Sequence, residues 1–428
     1  MSSNKVSRRN FMVKTGFISA SVTLFPSLIP VKLFGKTQNF NPKIFVSTNF
    51  VNGGGKVTIQ DEESNTIRIS AHDEGGGGWS KIWWHFMVEG INLKDEIILE
   101  LELGAGANNQ LFFSYDQKNW GLTNSGIIKT IDGKDFIVVK HIIRGEKTWF
   151  SYDLPYTPEH INAILAEKVK TYPDIKTLDF CKTKKGRQVS AFLLKNTEPD
   201  SDFKYGIWLQ ARAHAFESGS SWVLHELMCW LMSNGTEAKA LRSISQIFIL
   251  PIVDVDSVVE GRTGKNQKPH DHNRGWDKEP SFWPEMTESK LQLAQWAKNG
   301  KMDLFIDFHG PGNSSHPYFI VPLAKDLSSA KQRQNRFNFF QSLDARPINE
   351  MNKLTQSMTQ FYFSERAEIK GKENAVKWVN ENTTDNVVSL TLEVNMGTPL
   401  STQSGYRAEA IAIGEAISKY FINKHHQK

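Results

Sequence analysis

The stretch from Tyr205 to Met232 constrains the chain most. Tyr205-Gly206-Ile207-Trp208-Leu209-Gln210 is a short apolar run that reads as a buried strand. A helical pattern follows almost at once, with Trp222, Leu224, Leu227, Met228, Leu231 and Met232 on one broad apolar face. His214 and Glu217 fall in the corner between the two. That corner is the edge at which open α/β sheets carry their ligands. Side chains three apart across such a turn can converge, and imidazole plus carboxylate is a zinc-type ligand pair. Taken alone, the pair also suits a hydrogen-bonded histidine and an acid in the first turn of a helix.

The same strand-then-helix alternation runs through the second half of the chain. Val189 to Leu194, Ile247 to Val253, Met302 to Phe308 and Val387 to Glu393 read as further strands, with helical stretches between them and a helix over Pro158 to Val169. This predicts an α/β domain over residues 155–425, with a mixed, largely parallel sheet flanked by helices. Residues 40–150 read differently. β-branched or alternating runs recur at Ile44 to Ser47, Thr66 to Ser70, Trp83 to Val88, Ile97 to Leu103, Leu111 to Tyr115 and Phe136 to Val139, separated by Gly- and Asn-rich turns. A small all-β sandwich domain is expected there. Trp79, Trp83, Trp84 and Phe86 suit either core packing or an aromatic sugar platform, and packing is the commoner use of such a cluster.

Charge narrows the partners. The formal net charge is +5, but Lys5, Arg8, Arg9, Lys14, Lys32 and Lys36 carry six positive charges with no acid among the first 36 residues, so the remainder stands at −1. Nothing there favours nucleic acid as a partner. Two cysteines, Cys181 and Cys229, form no metal-binding cluster, so any metal must be held by histidine and carboxylate. His225-Glu226 opens like a helical two-histidine zinc motif, but position 229 is cysteine.

Three more segments bring polar residues to the ends of apolar runs. Leu304-Phe305-Ile306-Asp307-Phe308-His309 is a strand delivering a histidine, and two His with one Glu is a three-ligand zinc set that leaves a fourth position open. Asp307 lies on the opposite face of that strand from Phe308 and reads as structural. Ser389-Leu390-Thr391-Leu392-Glu393 carries a carboxylate in a buried-looking run, where ionisation needs a compensating charge; a general base beside a metal supplies one. The long polar loop from Glu260 to Met286 contains Arg262, Asn273 and Arg274, suited to gripping a carboxylate, and His270 and His272, which read as solvated or supporting.

These residues together resemble the zinc carboxypeptidase family, the relatives of carboxypeptidase A. His214-Ala215-Phe216-Glu217 looks like its first zinc motif, Asp307-Phe308-His309-Gly310 like the second, His272-Asn273-Arg274 like the carboxylate-binding segment, and Thr391-Leu392-Glu393 like the segment of the catalytic glutamate. The β-rich region followed by Phe150-Ser151-Tyr152-Asp153-Leu154-Pro155-Tyr156-Thr157 is similar to the cytosolic-carboxypeptidase subfamily. The resemblance implies one Zn2+ per chain held by His214, Glu217 and His309, with Glu393 as general base and Arg262 polarising the scissile carbonyl. Asn273 and Arg274 then bind the terminal carboxylate of a peptide or protein substrate. In the family the residue that reads the last side chain precedes the catalytic glutamate. Lys377, in Lys370 to Trp378, is the candidate here, and its charge favours an acidic terminus.

Phe216 stands where relatives often carry glycine or a polar residue, and no tyrosine lies between Phe363 and Glu393 to cap the substrate. An amidase acting on cell-wall peptides would share every residue named, and a non-catalytic binding protein would share the pocket. At the N-terminus, Ser7-Arg8-Arg9-Asn10-Phe11-Met12 resembles a twin-arginine export signal, followed by an apolar stretch too short and too broken by Pro26 and Pro30 for a stable membrane span. Residues 1–36 are therefore expected to direct the chain to the periplasm or the exterior.

Overall fold

The computed structural model describes residues 44–426 apart from residues 73, 76–80, 105–108, 170, 171, 173, 174, 196–203, 311–315, 350–356 and 368–372. The expected export signal, Trp79 and the Lys370 to Lys372 part of the candidate specificity loop lie outside the described residues. Residues 42–428 form one compact unit. No described helix is long and apolar enough to cross a membrane.

The architecture is mixed α/β, preceded by an all-β region. A nine-stranded sheet has four central parallel strands in the order Ser245–Leu250, Tyr205–Ala211, Leu304–His309 and Val388–Glu393. The last three are buried along almost their whole length, as strands covered on both faces must be. The hairpin Ile175–Lys182 and Gln188–Leu194 extends the sheet antiparallel on one side. Tyr318–Pro322 runs antiparallel to Val388–Glu393 on the other, and Tyr362–Arg366 and Arg346–Pro347 complete that edge. Helices Ser218–Leu231, Thr236–Ile244 and Ala330–Leu343 pack on the long C-terminal helix Gln403–His426. Gly414 permits a close approach of helix Ser218–Leu231, since a Cβ there would stand 2.6 Å from the ring of Trp230.

Register decides where the chemistry collects. His309 pairs with Glu393 across adjacent parallel strands, and Ala211 pairs with Phe308, so the chain leaves three neighbouring strands at one edge. That edge is the carboxyl end of the parallel strands, where their loops can converge.

The all-β region consists of two five-stranded sheets, ordered Phe45–Ser47, His85–Glu89, Lys147–Ser151, Phe112–Ser114, Trp120–Leu122 and Lys56–Asp61, Thr66–Ser70, Glu96–Glu102, Lys134–Ile142, Ile127–Ile131. Trp83, Trp84 and Phe86 are fully buried, the packing use expected of them. This region touches the site loops directly. Asn52 donates through its backbone and side-chain nitrogens to the carbonyls of Val259 and Val258, and Glu74 accepts from the backbone nitrogen and hydroxyl of Thr263 at 2.6 and 2.5 Å. Asp153 accepts from the Ser218 hydroxyl and the Gly219 nitrogen at the start of helix Ser218–Leu231. Glu217 occupies the N-cap position of that helix without a capping hydrogen bond. Asp153 thus satisfies a helix-end donor while the Glu217 carboxylate turns elsewhere.

Candidate metal centre and substrate cleft

Strand Tyr205–Ala211 ends in a tight turn. Arg212 is buried at φ +68°, and its guanidinium donates to the Ala215 carbonyl at 2.6 Å and reaches the Tyr156 carbonyl at 3.4 Å. A non-glycine residue held in this region is maintained by its surroundings, and here they fix the corner that carries His214 and Glu217.

The two side chains meet a third. His214 Nδ1 lies 2.9 Å from Glu217 Oε1, His309 Nδ1 lies 2.8 Å from Glu217 Oε2, and the two Nδ1 atoms are 3.1 Å apart. All three residues are buried, and their ligand atoms lie within 4.8 Å of one another. Two imidazole nitrogens and a carboxylate converging at these distances form a donor set suited to a cation, and the Lys265 ammonium reaches it at 3.2 Å from His214 Nδ1. Ligand bonds of about 2.0–2.2 Å around tetrahedral zinc place donor atoms about 3.3–3.6 Å apart, so a small adjustment admits the ion. The donor set fits zinc.

Outer partners fix the two rings. Asp307 Oδ2 accepts from His309 Nε2 at 3.0 Å, which leaves Nδ1 with its lone pair toward the triad. Gln210 donates to the other oxygen of Asp307 at 3.2 Å and accepts from Trp208 Nε1 at 3.0 Å. Asp271 Oδ1 stands 3.5 Å from His214 Nε2 and accepts from the Asn273 nitrogen at 2.8 Å. Burial works against the charge on Asp271, but the His214 bond, with Arg274 and Lys265, overcomes it and holds the carboxyl at about 2. Burial likewise opposes ionisation of Glu217, and the two imidazoles outweigh it, keeping its pKa well below the ordinary value.

The triad opens into a cleft of about 310 Å³, lined among others by Lys265, Asn273, Arg274, Arg366, Lys377 and Glu393. Burial raises the Glu393 carboxyl above 4.5 and Glu217 adds to this, against His309, Lys265 and His214. One more observation decides the family. The sequence model of the zinc carboxypeptidases matches residues 161–410, more than half of the chain. The chain belongs to the zinc carboxypeptidase family.

Its relatives bear this out. It is 31% identical over 167 residues to cytosolic carboxypeptidase 6 of Caenorhabditis elegans, covering 37% of this chain and 36% of that one. Against cytosolic carboxypeptidase 2 of Macaca fascicularis it is 23% identical over 215 residues, covering 45% and 25%. The matched stretches thus span about a third and a quarter of those relatives. A metallo-carboxypeptidase from Burkholderia cenocepacia has the same fold at 20% identity, with a TM-score of 0.73 over 89% of this chain and 100% of that one. A metallo-carboxypeptidase from Pseudomonas aeruginosa, solved with (2-guanidinoethylmercapto)succinic acid, gives 0.66 at 20% identity over 89% and 99%.

Seven of the eight residues singled out in the sequence line this zinc carboxypeptidase cleft or complete its triad. Asn273 Oδ1 accepts from the Ala375 nitrogen at 3.3 Å, and Arg274 donates to the Asn273 carbonyl at 2.7 Å, so the pair is braced at the cleft wall. Lys377 sits on helix Ala375–Asn382 rather than in a loop, with its ammonium 2.7 Å from Glu373 and 3.6 Å from Glu381. Arg262 is the exception. Its side chain is 53% exposed, pairs with Glu260 at 3.3 Å, and lines a separate recess with Thr48, Phe50, His72 and Arg187. The loop points it away because Thr263 is tied to Glu74 and its carbonyl accepts from the Phe216 nitrogen. Motif spacing through a loop of variable length could not resolve that.

Sequence reasoning passed over Lys265, Asp271 and Arg366, and gave Asp307 only a structural role. For Asp307 the signal was present, since residues two apart on a strand share a face. His272 is buried between Asp254 and Glu285, at 3.7 and 3.6 Å, rather than solvated; burial lowers its pKa, but the two carboxylates reverse this and raise it.

Proposed function

We propose that the chain is an exported zinc metallocarboxypeptidase that hydrolyses the C-terminal peptide bond of peptides or proteins. The convergence of His214, Glu217 and His309 at the floor of a cleft that also presents Glu393, Asn273 and Arg274 carries this reading. His214, Glu217 and His309 would hold one zinc ion. When bound, zinc lowers the pKa of a water and polarises a carbonyl.

The chain's own groups divide the remaining work. Asn273 and Arg274 hold the substrate's terminal carboxylate, Arg through its forked donors. Glu393, at the end of its strand beside His309, accepts a proton from the attacking water and returns it to the leaving amine nitrogen. Burial raises its carboxyl above the ordinary value, which suits a group that must give the proton back as well as take it. Lys377 favours an acidic terminal side chain, which must compete with Glu373 for the ammonium. Export rests on the Arg8-Arg9 motif and the apolar stretch after it.

The test is digestion of a mixed peptide library by the purified protein, read by mass. Loss of single C-terminal residues, with about one zinc per chain, supports the reading. Chelation should abolish turnover and added zinc restore it, and His309→Ala should lose metal and activity together. Full activity without metal, or cleavage at internal bonds or side-chain amides only, would remove it. Cell fractionation of the full chain and of Arg8→Lys/Arg9→Lys tests export.

A further inference from the structure

Behind the Asn273–Arg274 pair lies a buried cluster of one imidazole and two carboxylates. We propose that His272 is a positioning residue for substrate binding: as an imidazolium locked between Asp254 and Glu285, its ring holds Asn273 and Arg274 at the cleft wall. This deepens the carboxypeptidase reading above and rests on it.

Asn273 and Arg274 line the cleft, whereas the His272 ring packs flat on Trp283, with centroids 4.4 Å apart and planes 18° from parallel. Its Nδ1 is 3.0 Å from Gln267 Oε1 and 3.7 Å from Asp254 Oδ2, and its Nε2 is 3.6 Å from Glu285 Oε2. Both carboxylates are buried. Among the described residues, His272 Nε2, Asp254 Oδ2 and Glu285 Oε2 have no closer hydrogen-bond partner. Oxygen atoms therefore face both ring nitrogens, and a neutral ring would turn one nitrogen lone pair toward an oxygen. The doubly protonated ring presents a donor to each side. The two acids meet opposite nitrogens, so the ring itself balances them, and the Trp283 face favours the same charge.

The charged groups around the ring agree. Burial lowers the His272 pKa, but Asp254, Glu285 and Asp271 outweigh it and raise it. Burial raises the Asp254 carboxyl, and His272 and the Ser257 nitrogen oppose that. The buried Arg212 guanidinium also lies in range of Asp254. Cys181, near Glu285, stays a neutral thiol, pushed up to about 12 by burial and then by that carboxylate.

Each acid is itself anchored. Asp254 Oδ1 accepts from the Ser257 nitrogen at 3.0 Å, and the Asp254 backbone nitrogen donates to the Arg212 carbonyl at 3.1 Å. Arg212 opens the corner that carries His214 and Glu217. Glu285 stands in the first turn of helix Pro284–Lys298. On the clamp side, the His272 carbonyl accepts from Trp276 Nε1 at 3.0 Å, and Asp271 Oδ1 accepts from the Asn273 nitrogen at 2.8 Å. The ring thus ties the carboxylate-gripping segment to the turn that positions the triad. The spacing between grip and triad decides whether a bound peptide presents its last bond correctly.

The test uses the zinc-loaded full chain with an N-blocked dipeptide substrate, and 15N NMR of the histidine rings assigned by loss of a signal in His272→Gln. Both His272 nitrogens should be protonated at pH 7 in the wild type. His272→Gln should keep its zinc while KM rises ~10–10²-fold and kcat changes by less than about threefold, the scale for a misplaced binding group. In the wild type KM should rise at alkaline pH as the ring loses its proton. Glu285→Gln removes a negative neighbour, so it should carry that rise to lower pH, and His272→Gln should lack it. Where His272→Gln fails to fold, His272→Leu with Asp254→Asn and Glu285→Gln removes the charge imbalance and should still show the raised KM. A neutral His272 at pH 7, a wild-type KM in either His272 variant, or an alkaline rise unmoved by Glu285→Gln would overturn the assignment. An inactive wild-type chain would instead defeat the carboxypeptidase reading itself, and the NMR result would still decide the charge of the ring.

Discussion

Asp307 stands two residues before His309 on the same strand, and its carboxylate accepts from the Nε2 of that histidine at 3.0 Å. Both side chains are buried, and Gln210, from the neighbouring strand, fixes the second carboxylate oxygen. The hydrogen bond selects the His309 tautomer whose Nδ1 lone pair faces His214 and Glu217. One strand therefore carries a ligand of the triad and the group that orients it.

Asp307→Ala should accordingly weaken zinc binding by ~10–100-fold, the usual cost of losing such a partner. Competition with a chromophoric chelator measures it. Asp307→Asn retains an oxygen acceptor and should lose less. Equal zinc affinity in the wild type and the alanine variant would show that His309 is oriented by its packing alone.

The period of two that explains Asp307 is also where the sequence was most readable. The central strands are buried on both faces, so they appeared as unbroken apolar runs, and their polar last residues stood out as His309 and Glu393. Strands on the periphery were passed over. Lys56–Asp61 and Ile127–Ile131 are exposed along nearly every residue, and pairing rather than burial defines them. Ile175–Lys182 mixes buried and exposed positions across a bulge between Asp179 and Cys181, which breaks its alternation. Site residues in the long loop were legible as a group but not one by one. The pinning of Thr263 by Glu74, 189 positions away in sequence, decides which basic residue enters the cleft, and no local pattern encodes it.

Glu393 should show its role through both substitution and pH. Glu393→Gln keeps the shape and removes the proton acceptor, so zinc should stay bound while kcat falls at least ~10²-fold. Burial raises this carboxyl above its ordinary value of 4.5, so the active, ionised form is lost as pH falls through that raised value. The acid limb of kcat/KM should therefore lie above 4.5 in the wild type. A limb at or below that value, or a destabilised but active glutamine variant, would leave Glu393 as a structural residue.

The pairing of Lys377 gives a prediction about substrate preference. Its ammonium is 2.7 Å from Glu373, a mostly buried carboxylate four residues earlier, just before the helix. Removing that rival in Glu373→Gln should leave more positive potential for the substrate's last side chain and raise kcat/KM for peptides ending in Glu relative to Leu. Lys377→Ala should lower the same ratio. Comparing peptides ending in Glu, Leu and Arg across the three proteins reads both effects; an unchanged ratio in both variants would place the lysine's charge outside recognition.

Asp153 links the all-β region to the helix that begins after Glu217, and it does so as a wholly buried carboxyl. Burial raises its pKa to about 6, against hydrogen bonds from Ser218, the Leu154 nitrogen and Tyr406 and the charge of Arg212. The folded state therefore holds this proton more tightly than the unfolded chain, whose carboxyl titrates near 3.8. The linkage has a definite sign. The contribution of the protonated group is fully present below the unfolded value and is lost as pH rises through the folded one. Two units correspond to about 3 kcal/mol. Asp153→Asn cannot ionise and keeps one oxygen acceptor for the Ser218 hydroxyl and the Gly219 nitrogen. Denaturant unfolding of both proteins from pH 4 to pH 7.5 should show the wild type losing stability relative to the asparagine variant, with most of the change between about pH 4 and pH 6. A difference that stays constant over this range would mean that Asp153 titrates alike in the folded and unfolded chain, and that its hydrogen bonds fully compensate its burial.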